Sequence, residues 1–204
     1  MSVTVFVVDD EDAILRSLAD LLEAEGLAVR TFASAEEFLA NCDRASGGCI
    51  LLDVRMPGLD GLQAHEALLA RGIEMPVIFL TGHGDVPMSV RAMKAGAFDF
   101  LQKPARADTL LARVYAALRQ DEKRRAGAAV HDQAREQLAR LTPRERDVLA
   151  HLLRGLTNKQ VAREMRISPR TAEVHRRNIL QKTRARNLLE LDEICRRAGL
   201  VART

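Results

Sequence analysis

No apolar run in this sequence approaches the roughly 20 residues that a helix needs to cross a bilayer. The N-terminus also lacks a basic segment ahead of its short apolar run Val5 to Val8, so the pattern of a secretory leader is missing. With 47% hydrophobic and 29% charged residues, the composition is that of a folded, water-soluble protein. We therefore expect no membrane segment and a cytoplasmic location.

Cysteine is scarce, and the positions of Cys42, Cys49 and Cys195 exclude two common kinds of site. An odd number of cysteines without a CxxC pair fits neither a disulfide framework nor a structural zinc site. The five histidines show no metal-ligand spacing and no nucleophile partner. We predict three reduced thiols and assign no chemistry to the histidines.

The net charge of +3 conceals an acidic first part and a basic second part of the chain. Residues 1–120 hold 11 basic and 17 acidic side chains, a net charge of −6, whereas residues 121–204 hold 20 and 11, a net charge of +9. A basic segment indicates a polyanionic partner, with nucleic acid as the first candidate. The length of 204 residues suits two domains.

Short apolar runs alternate with amphipathic helical patterns throughout the first 120 residues. This alternation implies parallel strands joined by right-handed crossovers, and therefore an α/β fold with helices on both faces of one sheet. Ligands of such folds bind beyond the carboxyl ends of the strands. The predicted strands are 3–8, 27–31, 49–53, 76–81 and 98–101.

The pattern becomes wholly helical after Pro104. Residues 105–140 form a long helical pattern rich in Ala, Arg, Gln and Glu, interrupted only at Gly127. From Leu141 onward no strand pattern appears, and capping signals such as Thr142-Pro143-Arg144-Glu145 mark short helices. Two short helices joined by a tight turn, the second rich in basic residues, indicate a helix-turn-helix. The predicted helices begin near 143, 158, 169 and 187.

Polar side chains follow or end four of the predicted strands: Asp9 and Asp10, Asp53, Thr81 and Lys103. These positions share one edge of a parallel sheet, so the five side chains should converge. Each carboxylate pair at about 4 Å costs roughly 4 kcal/mol at an effective dielectric of about 20, so the site requires a cation or protons. Oxygen ligands favour Mg²⁺. Such a site suits phosphoryl transfer to Asp53, with Thr81 donating a hydrogen bond to the product.

Four segments resemble the receiver domain of two-component response regulators: VFVVDDE, LLDVRMPGLDG, VIFLTGHGDV and MKAGAFDFLQKP. A fifth, LTPRERDVLAHLLRGLTNKQVAREMRISPRTAEVHRRNILQK, resembles a LuxR-type helix-turn-helix, and the order is similar to that of the FixJ subfamily. The resemblance implies a flavodoxin-like, doubly wound receiver at 1–119 with five parallel strands in the order 2-1-3-4-5. A helical linker at 120–138 and an all-α, four-helix DNA-binding domain at 139–204 would follow.

By this resemblance, Asp53 accepts a phosphoryl group from a sensor histidine kinase, and the protein regulates transcription and is not an enzyme. Asp9, Asp10 and Asp53 would hold Mg²⁺ together with the backbone carbonyl of Arg55, while Lys103 contacts the phosphoryl group. The bond from Lys103 to the following proline is often cis in such domains.

The resemblance also makes Thr81 and Phe100 the switch residues. We hypothesise that on phosphorylation Thr81 moves toward the phosphoryl group and Phe100 turns inward. The face formed by residues 87–103 would then repack and form a homodimer. The dimer would present two recognition helices to a pseudo-palindromic site on double-stranded DNA.

The helix-turn-helix prediction assigns residues 158–165 to the helix that crosses the DNA backbone and 169–182 to the recognition helix in the major groove. Arginine suits guanine, glutamate accepts from cytosine, and valine contacts a thymine methyl. Phosphate contacts position the protein without specifying the sequence. The candidates for base contacts are Arg170, Glu173, Val174 and Arg177, and those for phosphate contacts are Lys159, Thr171, Arg176 and Lys182.

Each of these residues also has a purely structural interpretation. Asp9 and Asp10 suit a turn or a helix N-cap, and Phe100 suits a core position. The basic residues of 163–186 suit a solvated face. The convergence of five polar groups at one sheet edge, and a capped helix-turn-helix, favour the functional interpretations.

Two rival functions are left open at this point. A Mg²⁺-dependent phosphatase could use Asp53 as its nucleophile, but enzymes of the haloacid dehalogenase type carry a second acid where this chain has Arg55. A constitutive DNA binder could use its receiver only to contact other proteins. The acidic pair, Thr81 and Lys103 argue against that second rival.

Overall fold

The computed structural model describes residues 3–43, 45–82 and 86–200, with the side chains of 86–89 excepted. It divides into two compact units, Met1–Arg125 and Ala126–Thr204. None of the described helices is both long enough and apolar enough to cross a membrane. The first unit reaches six residues past the predicted end of the receiver at residue 119.

A five-stranded sheet forms the centre of the first unit, and every neighbouring pair of strands is parallel. The spatial order is β2-β1-β3-β4-β5, which confirms the order predicted from the sequence. The strands are β1 Thr4–Val8, β2 Ala28–Phe32, β3 Gly48–Asp53, β4 Val77–Thr81 and β5 Asp99–Gln102.

Helices cover both faces of the sheet: four of them connect successive strands, and the fifth follows β5. They are α1 Asp12–Ala24, α2 Ala35–Asn41, α3 Gly61–Ala70, α4 Val86–Lys94 and α5 Ala107–Ala139. Helix α5 continues through Gly127, where we expected an interruption, because a glycine inside a helix costs only about 1 kcal/mol and its neighbours are good helix formers.

Two hydrophobic clusters sandwich the sheet, because successive strand residues face opposite sides. The first cluster contains Phe6, Ile50 and Phe79 together with side chains of α2 and α3. The second contains Val7 and Leu51 together with side chains of α1 and α5. Since helices cover both faces of the sheet, β1, β3 and β4 are apolar along most of their length, whereas the edge strand β2 carries Arg30 and Thr31 inside the strand.

The second unit is built from four short helices that follow α5. These are α6 Pro143–Leu153, α7 Asn158–Met165, α8 Pro169–Thr183 and α9 Leu188–Arg197. Each begins with a side-chain cap, by Thr142, Thr157, Ser168 and Asn187 respectively. The four-helix prediction is therefore confirmed, with a core that includes Val148, Val161, Ala172, Ile179 and Leu191.

Candidate functional site

Three of the predicted site residues meet at the carboxyl edge of the sheet. The ammonium of Lys103 lies 2.6 Å from Asp9 Oδ2 and 2.6 Å from Asp53 Oδ1, so it bridges the two carboxylates. The backbone N–H of Lys103 donates to the carbonyl of Thr81 at 2.6 Å, which joins the end of β5 to the end of β4. The Lys103-Pro104 peptide bond is cis, as expected.

Both carboxylates at this edge are withdrawn from water. Asp9 is 0% exposed and Asp53 is 5% exposed. Burial raises the pKa of Asp53 above its ordinary value, and the charge of Asp9 adds to this effect, while Lys103 opposes it. Burial alone would lower the pKa of Lys103, but its hydrogen bonds to Asp53 and Asp9 raise it. One ammonium thus faces two carboxylates, and the site retains negative charge that favours a further cation.

The loop after β3 fixes the second oxygen of Asp53. Its Oδ2 accepts a hydrogen bond from the backbone N–H of Arg55 at 2.7 Å. Helix α3 begins close by, with Asp60 and Gln63 forming a reciprocal capping box that the sequence analysis missed. The N–H of Gly61 donates to the carbonyl of Val54 at 3.0 Å, so the helix start is bound to the strand end.

Gly61 leaves no room for a side chain beside the site, because a Cβ there would lie 2.1 Å from the carbonyl oxygen of Asp53. We expect Gly61→Ala to destabilise the first unit by about 2 kcal/mol, since the backbone around Asp53 must shift. The same substitution at Gly127, where nothing lies within 4 Å, should instead stabilise its helix by about 1 kcal/mol. Thermal unfolding of both variants checks this, and two shifts of the same sign would contradict it.

The donor set fits Mg²⁺, although the described residues contain no group of three His, Cys, Asp or Glu side chains close enough to hold a metal. Asp9 and Asp53 are buried together, whereas Asp10 is exposed. Mg²⁺ binds through one or two carboxylates and retains several waters, so this pair suffices chemically. The predicted roles of Asp10 and of the Arg55 carbonyl stay predictions.

The two predicted switch residues lie on adjacent strands. Thr81 ends β4 and is 1% exposed, while Phe100 on β5 is partly buried against the first cluster and pairs in register with Phe79. In the neighbouring helix α4, Val90 is 45% exposed and Met93 is 49% exposed. The side chains of 87–89, which belong to the proposed dimer face, lie outside the described residues.

Most of the predicted DNA contacts are exposed in the second unit, on α7 and α8. Lys159, Arg170, Glu173, Val174 and Arg177 are all exposed. Two others have a structural contact as well: the Thr171 hydroxyl lies 2.8 Å from the capping hydroxyl of Ser168, and Arg176 donates to Asn158 at 3.5 Å. The recognition helix therefore offers a row of unburied side chains at helical spacing.

Lys182 differs from the other predicted phosphate contacts. Its ammonium donates to Glu145 Oε2 at 2.7 Å, and the Glu145 carboxylate also accepts from the N–H of Thr142. Burial alone would raise the pKa of Glu145, but the hydrogen bonds from Lys182 and Thr142 outweigh it and hold this pKa below its ordinary value. Lys182 thus stabilises the buried end of α6. No local sequence pattern predicts this pair, because its two residues are 37 positions apart.

Comparison with protein families assigns both halves of the chain. Residues 5–115 match the response regulator receiver domain, and residues 139–194 match the luxR family of bacterial regulatory proteins. The chain is a response regulator. It joins a receiver to a luxR-type DNA-binding domain and is a transcription regulator of the two-component kind, a family that is not catalytic.

Full-length relatives support this assignment of the regulator. It is 44% identical to the transcriptional regulatory protein FixJ of Bradyrhizobium diazoefficiens over 197 residues, which cover 97% of this chain and 96% of that protein. It is 41% identical to the response regulator TodT of Pseudomonas putida over 193 residues, covering 95% and 85%. Among solved structures, the response regulator StyR is 42% identical and has a TM-score of 0.91, with 96% of this chain and 99% of that chain covered.

Proposed function

We propose that the regulator accepts a phosphoryl group on Asp53 from a partner histidine kinase and thereby gains affinity for DNA. The observation that supports this most strongly is the bridging of Asp9 and Asp53 by Lys103, at 2.6 Å from each. A carboxylate that is buried, fixed through both oxygens and adjacent to an ammonium is prepared to become an acyl phosphate.

The reaction uses groups that the site already holds. A carboxylate oxygen of Asp53 attacks the phosphorus of the kinase's phosphohistidine, an O–P bond forms, and the P–N bond breaks with its electron pair leaving on the imidazole. Lys103 is placed to shift from the carboxylate to a phosphoryl oxygen, which carries the developing charge. Asp9 and Asp53 would hold Mg²⁺, with Asp10 and the Arg55 carbonyl as further ligands, and the ion supplies positive charge to the phosphoryl oxygens when bound.

The output follows from the switch residues. Phosphorylation adds roughly 1.5 to 2 negative charges at the end of β3, beside Thr81. We propose that Thr81 then donates a hydrogen bond to the phosphoryl group and that Phe100 turns further into the first cluster. The exposed Val90 and Met93 on α4 supply apolar surface for a homodimer, which buries them against a second copy.

Beryllofluoride, which imitates the aspartyl phosphate, tests this function directly. We expect wild-type protein with Mg²⁺ and beryllofluoride to change from monomer to dimer in size-exclusion chromatography. It should also bind a pseudo-palindromic DNA at least about tenfold more tightly. Met93→Glu, which places charge on the proposed dimer face, should prevent the dimer without changing the receiver site. A wild-type protein that neither dimerises nor gains DNA affinity would contradict the proposal.

Arg177 tests the recognition helix. It is exposed and proposed to read bases, so Arg177→Ala should weaken specific binding about 10- to 100-fold, the loss of one good bidentate contact. Arg163→Ala, exposed on α7 and assigned no base contact, is the matched control and should cost far less. Fluorescence anisotropy with a specific and a scrambled duplex separates the two. Equal losses on both duplexes would reassign Arg177 to phosphate contact.

We further propose that the protein turns over no phosphate ester and works in the cytoplasm. The position two residues after Asp53, where a phosphatase of the haloacid dehalogenase type needs its general acid, is Arg55. Sustained release of phosphate from an aryl phosphate by the purified protein, abolished in Asp53→Asn, would revive the enzyme alternative.

A further inference from the structure

The inner side of helix α5 changes character at Asp121. Leu110, Val114 and Ala117 are at most 1% exposed and belong to the second hydrophobic cluster of the sheet. Their helical spacing places residue 121 next along the same stripe, where an apolar side chain would be usual. The carboxylate of Asp121 is nevertheless only 1% exposed. It lies six positions beyond the end of the match to the receiver family at residue 115.

Both oxygens of this buried carboxylate have partners. Oδ2 accepts a hydrogen bond from the backbone N–H of Gly48 at 2.9 Å, and Oδ1 accepts from Arg124 Nη2 at 2.6 Å. Arg124 also lies 3.7 Å from Glu74, in the segment before β4. One turn of the helix is therefore bound to the amino-terminal edge of the sheet, the edge opposite to Asp53.

The partner of Asp121 is itself held rigidly. A Cβ on Gly48 would lie 1.7 Å from the carbonyl oxygen of Thr4, and its φ of +143° is one that other residues rarely adopt. Gly48 begins β3 and Asp53 ends it. The two ends of this buried strand are about 17 Å apart at the usual rise of a strand. A single strand thus joins the phosphoryl-accepting end to the attachment of the helix.

We propose that Asp121 is a positioning residue of the response: it attaches α5 to β3 in the last turns of the helix that belong to the first unit, and so fixes the register of α5 against the sheet. This inference rests on the proposed phosphorylation of Asp53. An apolar residue at 121 would bury equal surface, but hydrophobic contact is not directional. The charge-assisted hydrogen bond that Asp121 accepts from the Gly48 N–H is directional, and it forms only in one register of the helix against β3. A change at the Asp53 end of β3 can therefore reach α5 through the hydrogen bond of Asp121, whereas a leucine at this position would supply packing alone.

Limited trypsin digestion tests the attachment, because Lys123, Arg124 and Arg125 are cleavage sites beside it. We expect Asp121→Leu and Asp121→Ala to be cleaved there about tenfold faster than wild type, since the helix turn opens more often without its hydrogen bonds. Asp121→Asn, which still accepts from Gly48, should be cleaved at a rate close to wild type. Glu122→Gln, an exposed neighbour, is the control.

DNA binding with beryllofluoride tests whether the state of Asp53 reaches α5 through Asp121. It also distinguishes this role from a merely structural one. Asp121→Leu should match wild type in phosphoryl incorporation from acetyl phosphate, which shows that the receiver is folded and that the site at Asp53 is intact. It should nevertheless lose most of the gain in DNA affinity, which Asp121→Asn should retain. A leucine variant with the full gain, or one as resistant to trypsin as wild type, overturns the inference. A wild type that shows no gain refutes the phosphorylation proposal instead, while the trypsin result still decides the attachment.

Discussion

Asp53→Asn is expected to lose phosphoryl incorporation completely and to bind DNA only at the basal level, with or without a phosphodonor. The amide oxygen is a poor nucleophile. Asp9, the other carboxylate that Lys103 contacts, is 0% exposed and so cannot meet a phosphodonor in its place. Incubation with acetyl phosphate and Mg²⁺, followed by intact-protein mass spectrometry, measures the incorporation. The exposed Asp20 provides a matched control, and Asp20→Asn should behave as wild type.

The same variant should be at least as stable as wild type, which distinguishes a lost nucleophile from a damaged fold. Burial raises the pKa of Asp53 above its ordinary value, with Asp9 adding to the effect. A group whose pKa is raised on folding loses its stabilising contribution as the pH rises, so at neutral pH the charged carboxylate works against folding. A neutral amide removes this cost. An Asn variant that melts well below wild type, or that still takes up a phosphoryl group, would contradict the assignment.

Glu145→Ala should destabilise the second unit, with a loss of about 3 kcal/mol in its free energy of unfolding. Part of it, about 1 kcal/mol, comes from the capping box with Thr142, and the rest from the ion pair with Lys182 and the space left by a side chain that is 4% exposed. Lys182→Met should cost about 2 kcal/mol, because it leaves the buried carboxylate without its cation. Urea unfolding of the full chain measures both.

The matched control lies on the same helix. Asp147 pairs with Arg144 at 3.7 Å, but both side chains are more than half exposed. Asp147→Ala should therefore change the free energy of unfolding by only about 0.5 kcal/mol. If Glu145→Ala lowered the free energy of unfolding no more than Asp147→Ala, the ion pair of Glu145 and Lys182 would have no structural role. Lys182 would then be assigned to phosphate contact, as the sequence predicts.

The contribution of Glu145 should also depend on pH. Its pKa is lowered on folding from an ordinary value of 4.5, so its stabilisation is complete above pH 4.5 and disappears as the pH falls through the lowered value. The stability difference between wild type and Glu145→Gln should therefore shrink as the pH is lowered below 4.5. A difference that grows on acidification would mean that the carboxylate is not held in its charged form.

Local patterns in the sequence were enough for the fold and for the edge of the sheet that carries the site. Alternating strands and helices imply parallel strands, and parallel strands bring their carboxyl ends to one edge. Lys103 and Asp9 could therefore be placed together although 94 positions separate them. The cap at Thr142 could also be predicted from the sequence, because a capping box is a signal within about four residues.

Only the tertiary structure decided which side chains are paired inside the protein. Lys182 has the same local sequence pattern as a phosphate contact, yet its ammonium donates to Glu145, 37 positions away. Asp121 lies in a polar helical segment, yet its carboxylate accepts from the N–H of Gly48, 73 positions away. Asp9 and Asp10 are neighbours in the sequence, and only one of them is buried. Periodicity and capping report the conformation of the backbone, whereas the burial and charge state of a polar group depend on what the distant chain places against it.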